Sequence, residues 1–284
     1  MPVPARLSSH GSAPGICDSG DRRKARVRRR MLQPARAPIV AILLAFGLLA
    51  LAVPASAHYP WITVSEDAEG DPTFRLGFGH VFPGDGPLGA HRVDGIRVIG
   101  SDDAVESLVL EDREIHPLPN DTEGTRLIVA EQTPLYWSRT HQGGRQASRE
   151  QYPEAFSCSQ SGNVMKAAFG DGGASAWQYQ QGHVLELIPQ RDPVGLRPGD
   201  PLSVKVLFQG EPWEGEVKAT YAGYDGGSDD RYVLTLRTDA DGMVRFVPAA
   251  SGYWLVRANA SEDYPDPAVC DRRSYFSTLT FEIR

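Results

Sequence analysis

The pattern that decides the fold lies at residues 202–208, which read LSVKVLF. Apolar and polar side chains alternate from Leu202 to Val206, as they do in a strand with one buried face and one wet face. Seven such stretches, counting this one, predict an immunoglobulin-like or transthyretin-like β-sandwich over residues 182–284. The other six are HVLELIP from 183, EVKATYAG from 216, RYVLTLRT from 231, MVRFVP from 243, GYWLVRAN from 252 and SYFSTLTFEIR from 274.

Residues 58–181 are less regular, and we predict that they form a separate N-terminal β-rich domain. Short strand-like stretches alternate with clusters of Gly, Pro and Asp. The segment 136–170 is polar, and a short helix is predicted at residues 148–156. The chain contains 29 Gly and 22 Pro, which favours a mostly β protein with frequent turns over a helix bundle. Residues 239–242, Asp-Ala-Asp-Gly, are typical of a tight turn between two strands.

The first 57 residues have the features of a secretory leader. Residues 39–53 form an uncharged apolar run, IVAILLAFGLLALAV, which is short for a spanning helix of roughly 20 residues. Basic residues precede the run, and the small residues Ala55, Ser56 and Ala57 follow it as a cleavage signal. We therefore predict a signal peptide that is cut after Ala57, and a periplasmic or secreted protein. Met31 is a plausible alternative start.

Removal of the leader makes the chain strongly acidic. Residues 1–57 carry nine basic and two acidic side chains, so 20 basic and 34 acidic residues remain, and the net charge falls from −7 to near −14. Such a surface argues against nucleic acid or an anionic membrane as a partner, and it attracts cations. The mature chain contains no transmembrane segment by this pattern. Its two cysteines, Cys158 and Cys270, are expected to form a disulfide in an oxidising compartment.

No sequence motif of a common enzyme class is present: the chain lacks a P-loop, a G-x-S-x-G elbow, an H-E-x-x-H pair and a dinucleotide fingerprint. Histidine is the remaining candidate for chemistry. The predicted cut makes His58 the first residue, so that its free α-amine and its imidazole can chelate one metal ion. A second histidine would complete a nitrogen-rich site that favours Cu(II) or Ni(II) over Mg or Ca.

Two further histidines are candidates for this metal site. His80 lies in the apolar and glycine-rich stretch 76–82, LGFGHVF, and His183 opens a predicted strand directly after a glycine. Each taken alone is more typical of a surface or core histidine than of a ligand. Asp85 and Glu186 are possible oxygen ligands. Three other histidines in polar contexts rank lower: His91, His116 and His141.

A set of motifs spread over the mature chain resembles a known family. The set comprises AHYPWI at 57–62, GFGHVF at 77–82, GHVLELIP at 182–189, DP at 192–193, VLFQGEP at 206–212, TDADG at 238–242, GYW at 252–254 and LTF at 279–281. The chain is similar in these motifs to the domain of unknown function 4198 family, which is linked by name to the periplasmic substrate-specific part of nickel-uptake systems. One departure is Tyr59-Pro60, where an acidic–aromatic pair is more usual.

The resemblance implies an exported, mostly β protein associated with nickel or cobalt acquisition, with histidine motifs at His58, His80 and His183. We therefore expect a non-enzymatic metal-binding protein that takes Ni, Co or Cu through these three residues and serves a membrane metal transporter. Two alternatives remain. One is a non-catalytic interaction module of the envelope, and the other is a copper enzyme with an N-terminal histidine brace.

Overall fold

The computed structural model describes residues 58–100, 102–119, 124–173, 176–226 and 232–284. The predicted leader and its cleavage site lie outside these residues. Within them the protein is nearly all β, as predicted, and its helical residues are two single 3₁₀ turns, Ala90–Arg92 and Ala176–Gln178. The strands are β1 Tyr59–Glu66, β2 Pro72–Gly79, β3 Val93–Ile99, β4 Val105–Ser107, β5 His116–Pro117, β6 Thr125–Thr140, β7 Gly143–Arg145, β8 Ser157–Gly170, β9 Leu185–Pro189, β10 Leu202–Phe208, β11 Glu211–Pro212, β12 Glu216–Tyr221, β13 Leu234–Arg237, β14 Met243–Phe246, β15 Gly252–Asp263 and β16 Arg272–Ile283.

A large central sheet organises the molecule. Its strand order is β13-β12-β15-β16-β8-β6-β3-β4, with β7 paired to β6. The pairs are antiparallel except β16 with β8, which run parallel from Arg272 beside Ser159 to Thr280 beside Ala167. Strands from both sides of residue 181 therefore share one sheet, and residues 58–181 and 182–284 are joined through its backbone hydrogen bonds.

The central sheet is buried on both faces in its middle strands. On β6, Leu127 and Val129 pack into one hydrophobic cluster, whereas Ile128 and Ala130 pack into another. This division follows from the pleat, because successive side chains of a strand point to opposite faces. A further sheet covers each face, so the fold has three layers in this region.

The small sheet covers the first face. Its order is β11-β10-β14, and β9 pairs with residues 204–208 of β10. Val204 and Val206 of β10 are fully buried against the central sheet, while Ser203 and Lys205 are half-buried. The alternation in LSVKVLF thus corresponds to one buried and one half-buried face of β10, as predicted. The predicted β-sandwich is confirmed.

The N-terminal sheet covers the second face. It contains β1, β2 and β5, and its side chains Ile62, Phe74 and Leu76 pack with Ile128 and Met165 of the central sheet. Tyr59 and Trp61 of β1 form a neighbouring aromatic cluster on the same face. These rings are almost completely buried, so they serve the core.

The segment 136–170 differs from its prediction. Residues 148–156 form turns and no helix, and the flanking residues belong to β6 and β8, two of the longest strands. Residues 148–156 are instead tied to the β15–β16 connection, where the Arg149 N–H donates to the Val269 carbonyl and the Arg149 guanidinium donates to Asp271. The helix prediction was therefore wrong. The strand β8 that follows was not predicted, because it lacks a clear period of two. Its middle residues are covered on both faces, and a strand covered in this way shows no polar–apolar alternation.

Two smaller predictions are confirmed. A disulfide joins Cys158 at the start of β8 to Cys270 in the β15–β16 connection, across 112 residues of sequence. Residues 239–242 form a tight turn, in which the Asp239 carboxylate accepts hydrogen bonds from the backbone N–H of Asp241 (3.0 Å) and Met243 (2.8 Å). The two strands that it connects belong to different sheets.

Candidate functional site

Two histidines face each other at the open end of the first hairpin. Strands β1 and β2 pair from Glu66 beside Pro72 to Tyr59 beside Gly79. One further step in this register places His58 opposite His80, and the centroids of the two imidazole rings are 3.9 Å apart. The hairpin register therefore brings together two residues that are 22 positions apart in the sequence.

The turn at the closed end of the hairpin sets this register. The Asp67 carboxylate accepts hydrogen bonds from the backbone N–H of Glu69 (3.1 Å) and Asp71 (2.8 Å). Gly70 has a φ of 89°, which a residue without a side chain adopts most easily. A turn of this length pairs residues whose numbers add to a constant, and His58 and His80 satisfy that relation.

Asp85 holds the backbone that carries His80. Its carboxylate accepts hydrogen bonds from the backbone N–H of His80 and of Val81, the second at 2.8 Å, and the Asp85 N–H donates to the Val81 carbonyl at 3.0 Å. Gly79 has a φ of 157°, and a Cβ at this position would overlap the Asp85 carboxylate. The loop after β2 therefore needs both a glycine at 79 and an acceptor at 85.

The central sheet anchors β1 below the histidine pair. Thr278 and Thr280 of β16 donate side-chain hydrogen bonds to the carbonyls of Pro60 (3.0 Å) and Ile62 (2.6 Å). The Tyr253 hydroxyl accepts a hydrogen bond of 2.7 Å from the Val64 N–H. Because β1 is the edge strand of its sheet, these side chains satisfy backbone groups that a neighbouring strand would otherwise pair.

An aromatic ring and a cation border the histidine pair. The Phe78 ring stacks on His58, with centroids 5.3 Å apart and an interplanar angle of 17°, and the Arg92 guanidinium lies 4.3 Å from the Phe78 centroid. Burial lowers the pKa of His58, and His80 and Arg92 lower it further, while Asp85 acts in the opposite direction. The His58 imidazole is therefore more readily neutral, which is the form that binds a metal.

The histidine pair offers few atoms that could bind a metal ion. Among the described residues, no group of three or more His, Cys, Asp or Glu side chains is arranged to hold a metal ion. His58 and His80 supply two imidazoles. A third nitrogen becomes available where His58 carries a free α-amine, since that amine and the His58 imidazole belong to one residue. The chemistry of this donor set suits a nitrogen-preferring metal such as Ni(II) or Cu(II).

A second group of ionisable side chains lies between the central and small sheets. The Nζ of Lys166 on β8 is 2.5 Å from Oε1 of Glu186 on β9, and both side chains are 1% exposed. The backbone N–H groups of Gln181 and Gly182 donate to the same carboxylate at 2.7 and 3.0 Å. We call Lys166, Glu186 and His183 the buried cluster.

His183 belongs to the buried cluster. Its side chain is 7% exposed, and its Nε2 lies 3.3 Å from Oε1 of Glu131 and 3.2 Å from a terminal nitrogen of Arg97. Burial lowers the pKa of His183, and the nearby Lys166 lowers it further, against the opposing charges of Glu131 and Glu186.

The family model for Domain of unknown function (DUF4198) matches residues 55–262. The chain belongs to the DUF4198 family. The resemblance of its motifs is thereby confirmed over most of the chain.

Other comparisons add little to this assignment. Among curated proteins, none matches the DUF4198 chain. A solved structure of Escherichia coli alpha-2-macroglobulin activated by porcine elastase is similar at 14% identity, with a TM-score of 0.21. The match covers 81% of the DUF4198 chain and 24% of the macroglobulin chain.

No helix in the described part of the DUF4198 protein is long and apolar enough to cross a membrane.

The structure separates the three predicted metal ligands. His58 and His80 lie at the N-terminal sheet, whereas His183 lies among Arg97, Glu131 and Lys166 on the side that faces the small sheet. Two of the three are thus brought together. The lower-ranked histidines stand elsewhere: His116 is buried against Phe74, with centroids 4.9 Å apart, and His141 packs beside Phe156 at 5.4 Å.

Two candidate functional residues are not predicted by the sequence patterns. The first is Lys166, a single cation in the apolar run VMKAAF (164–169). A charge in such a run is a usable signal, since a buried charge requires a partner. The matching single anion is Glu186 in LELIP. Asp85 was considered only as a ligand, and its role in holding the His80 backbone depends on a loop geometry that composition does not reveal.

Proposed function

We propose that this DUF4198 protein is exported, is cut after Ala57, and binds a divalent transition metal at its new N-terminus for nickel or cobalt uptake. The three donors are the α-amine of His58, the His58 imidazole and the His80 imidazole. The observation that carries the proposal is the pairing of His58 with His80, whose ring centroids are 3.9 Å apart.

The donor set supports a transition metal over a hard cation. Nitrogen ligands suit Ni(II), Co(II) and Cu(II), while Mg and Ca prefer oxygen. An amine and an imidazole from one residue form a chelate, so the second donor binds without a second loss of chain entropy. The His80 imidazole then needs little reorganisation, because Asp85 and the hairpin already hold its backbone.

The electrostatics of the site favour loading at neutral pH. The lowered pKa of His58 means that protons compete less strongly with the metal at that ring. Asp85 places a negative charge beside both imidazoles, and the mature surface carries a net charge near −14. Both features raise the local concentration of cations.

The decisive test begins with the exported protein itself. The full chain is expressed in a bacterium with a periplasm, and intact mass and N-terminal sequencing establish whether the mature form begins at His58. Binding of Ni(II), Co(II) and Cu(II) is then measured by isothermal titration calorimetry. We expect one ion per chain with submicromolar affinity for at least one of these metals.

Two variants isolate the chelate. Insertion of one alanine before His58 keeps both imidazoles but moves the amine away, and we expect the affinity to fall by about a hundredfold. His80→Asn should weaken binding similarly, while His91→Asn on the neighbouring surface should leave it unchanged. An exported form that begins elsewhere, or equal affinity with and without the extra alanine, contradicts the proposal.

Two alternatives share parts of this structure. A copper enzyme would use the same three nitrogens, and reductant-dependent oxygen consumption by the copper-loaded protein would favour it. An envelope interaction module is favoured by the exposed aromatics Trp137 and Phe156, whose residues are 52% and 60% exposed. Absence of metal binding, together with a co-purifying envelope partner that Trp137→Ser releases, would favour this second alternative.

A further inference from the structure

The buried cluster places an amine against a carboxyl group across the interior of the sandwich. Lys166 belongs to β8 of the central sheet and Glu186 to β9 of the small sheet, and their Nζ and Oε1 atoms are 2.5 Å apart. Each side chain is 1% exposed, so water does not compete for either group. This arrangement is independent of the proposed metal site, which lies on the other side of the central sheet.

Burial and the neighbouring carboxylate act in opposite directions on the charge of the Lys166 amine. Burial lowers the pKa of Lys166, although Glu186 opposes the effect. Burial alone would raise the pKa of Glu186, and the charge of Lys166 together with the Gln181 N–H outweighs that effect. The pair is therefore held as ammonium and carboxylate. Transfer of one proton along their hydrogen bond gives a neutral amine beside a carboxylic acid, a form that a low-dielectric interior accommodates.

Two backbone donors point at the carboxyl group. The N–H of Gln181 donates to Oε1 at 2.7 Å, and the N–H of Gly182 donates to Oε2 at 3.0 Å. If a nucleophile adds to the carboxyl carbon and Oε1 leaves as hydroxyl, Oε2 becomes an oxyanion, and the Gly182 N–H already donates to it. A fixed N–H donor at that position stabilises such an intermediate, because it needs no reorganisation in a buried site.

A proton carrier stands next to the pair. The Nδ1 of His183 has no hydrogen-bond partner among the described residues, and it lies 3.9 Å from Oε1 of Glu186. Its Nε2 faces the Glu131 carboxylate at 3.3 Å. A carboxylate that orients an imidazole, whose other nitrogen faces the reacting groups, is the arrangement used for proton transfer in acyl chemistry.

We propose that Lys166 and Glu186 condense to an intramolecular amide that joins the central sheet covalently to the small sheet. The Lys166 Nζ attacks the Glu186 Cδ, a C–N bond forms, and the resulting oxyanion at Oε2 is held by the Gly182 N–H, while Oε1 becomes the departing hydroxyl. His183 takes a proton from nitrogen and delivers it to the departing hydroxyl. One C–O bond breaks and one water leaves. Nothing is oxidised or reduced, and the two opposite charges disappear together.

Intact mass spectrometry of the wild-type exported protein tests this step directly. The protein is denatured and its disulfide reduced before measurement, so that the disulfide does not affect the mass. We expect a mass lower than that of the sequence by one water molecule. A proteolytic digest should contain one branched peptide in which the segments around Lys166 and Glu186 are joined, and trypsin should not cleave after Lys166.

Variants assign the chemistry to the cluster. Lys166→Met removes the nucleophile, and folded protein with this substitution should have the full sequence mass. Lys205→Met, at a half-buried lysine of the small sheet, is the matched control and should still lose one water. His183→Gln should slow the loss of water on the order of a hundredfold when the intact mass is followed from newly synthesised protein, which a purely structural role would not do.

The wild-type measurement decides the matter even if a variant fails to fold. Folded protein that keeps its full sequence mass after prolonged incubation at neutral pH overturns the proposal. So does a water loss that maps to a peptide without Lys166 and Glu186.

Discussion

The histidine pair and the buried cluster are built differently, although each joins ionisable side chains from two strands. His58 and His80 are brought together within one hairpin, by a turn only a few residues long. Lys166 and Glu186 come from different sheets and meet only when the small sheet packs onto the central sheet. The first site lies at the end of a sheet, where His58 is exposed to solvent. The histidine pair can therefore exchange a ligand with the solvent, whereas the Lys166 and Glu186 side chains can react only with each other.

The difference in burial between the two sites also predicts different effects of substitutions on binding and on stability. Exposed charged groups interact through water and contribute little to the free energy of unfolding. Buried charged groups cost several kcal/mol when they lose a partner. Substitutions at the histidine pair should therefore change binding, and substitutions in the buried cluster should change folding.

The largest effect is expected from removal of one buried partner. Lys166→Met removes the amine of the proposed amide and leaves Glu186 as an uncompensated charge, and we expect a loss of about 3–5 kcal/mol in the free energy of unfolding. His80→Asn, the matched change at the histidine pair, should cost less than about 0.5 kcal/mol. Urea denaturation followed by tryptophan fluorescence measures both values.

A double variant sharpens this prediction. When Glu186→Leu is added to Lys166→Met, no unpaired charge remains, and we expect part of the lost stability to return, since the proposed amide between the two sheets is still absent. Equal stability of the single and double variants would show that charge burial is not the cause.

The next effect concerns Asp85 and metal affinity. Asp85→Ala frees the N–H groups of His80 and Val81, and we expect the affinity to fall about ten- to a hundredfold, as it does when residues that orient metal ligands are removed. Asp85→Asn keeps an acceptor oxygen for both N–H groups but removes the charge. Calorimetry on the two variants therefore distinguishes positioning from electrostatics. Unchanged affinity in both variants would remove Asp85 from the site.

A smaller effect is expected where β1 meets the central sheet. Burial raises the pKa of Tyr253 to about 12, so its hydroxyl remains protonated and accepts from the Val64 N–H at all ordinary pH values. Tyr253→Phe leaves that N–H without its acceptor and should lower the free energy of unfolding by about 1–2 kcal/mol. Thermal denaturation checks the value, and an unchanged midpoint would contradict it.

The smallest effect is a dependence of stability on pH. The folded state lowers the pKa of His183 below its ordinary value, so the unfolded state binds more protons in the window between the two pKa values. The contribution of His183 to the free energy of unfolding is therefore fully present above about pH 6.5 and is lost as the pH falls toward the lowered pKa.

His183→Gln should reduce this acid sensitivity when the urea midpoint is compared at pH 7 and pH 5. The exposed His58 should contribute less, so that His58→Gln leaves the difference between the two midpoints nearly unchanged. The comparison between the two regions would fail if His58→Gln had the larger effect.

Much of the fold was predictable from the sequence because its strands carry local patterns. The alternation in β10 indicated one buried face, and the turn at Asp239 is formed by its own side chain. The strand β8 was missed because residues 165–169 are all buried and residues 157–163 are mostly polar, so no alternation marks it. The domain boundary at residue 181 was predicted because the strand pattern becomes more regular after it. The pairing of β16 with β8 joins strands from both sides of that residue, and no local sequence pattern indicates such a long-range contact.

The sequence by itself determined the types of residue available for chemistry: a histidine after a cleavage signal, a second histidine beyond a hairpin turn, and single charges within apolar strands. Tertiary structure alone decided which of them meet. It joined His58 to His80, placed His183 on the other side of the central sheet, and set Lys166 against Glu186. The physical reason is that periodicity determines which face of its own strand a side chain occupies. The packing of sheet on sheet determines what that face touches.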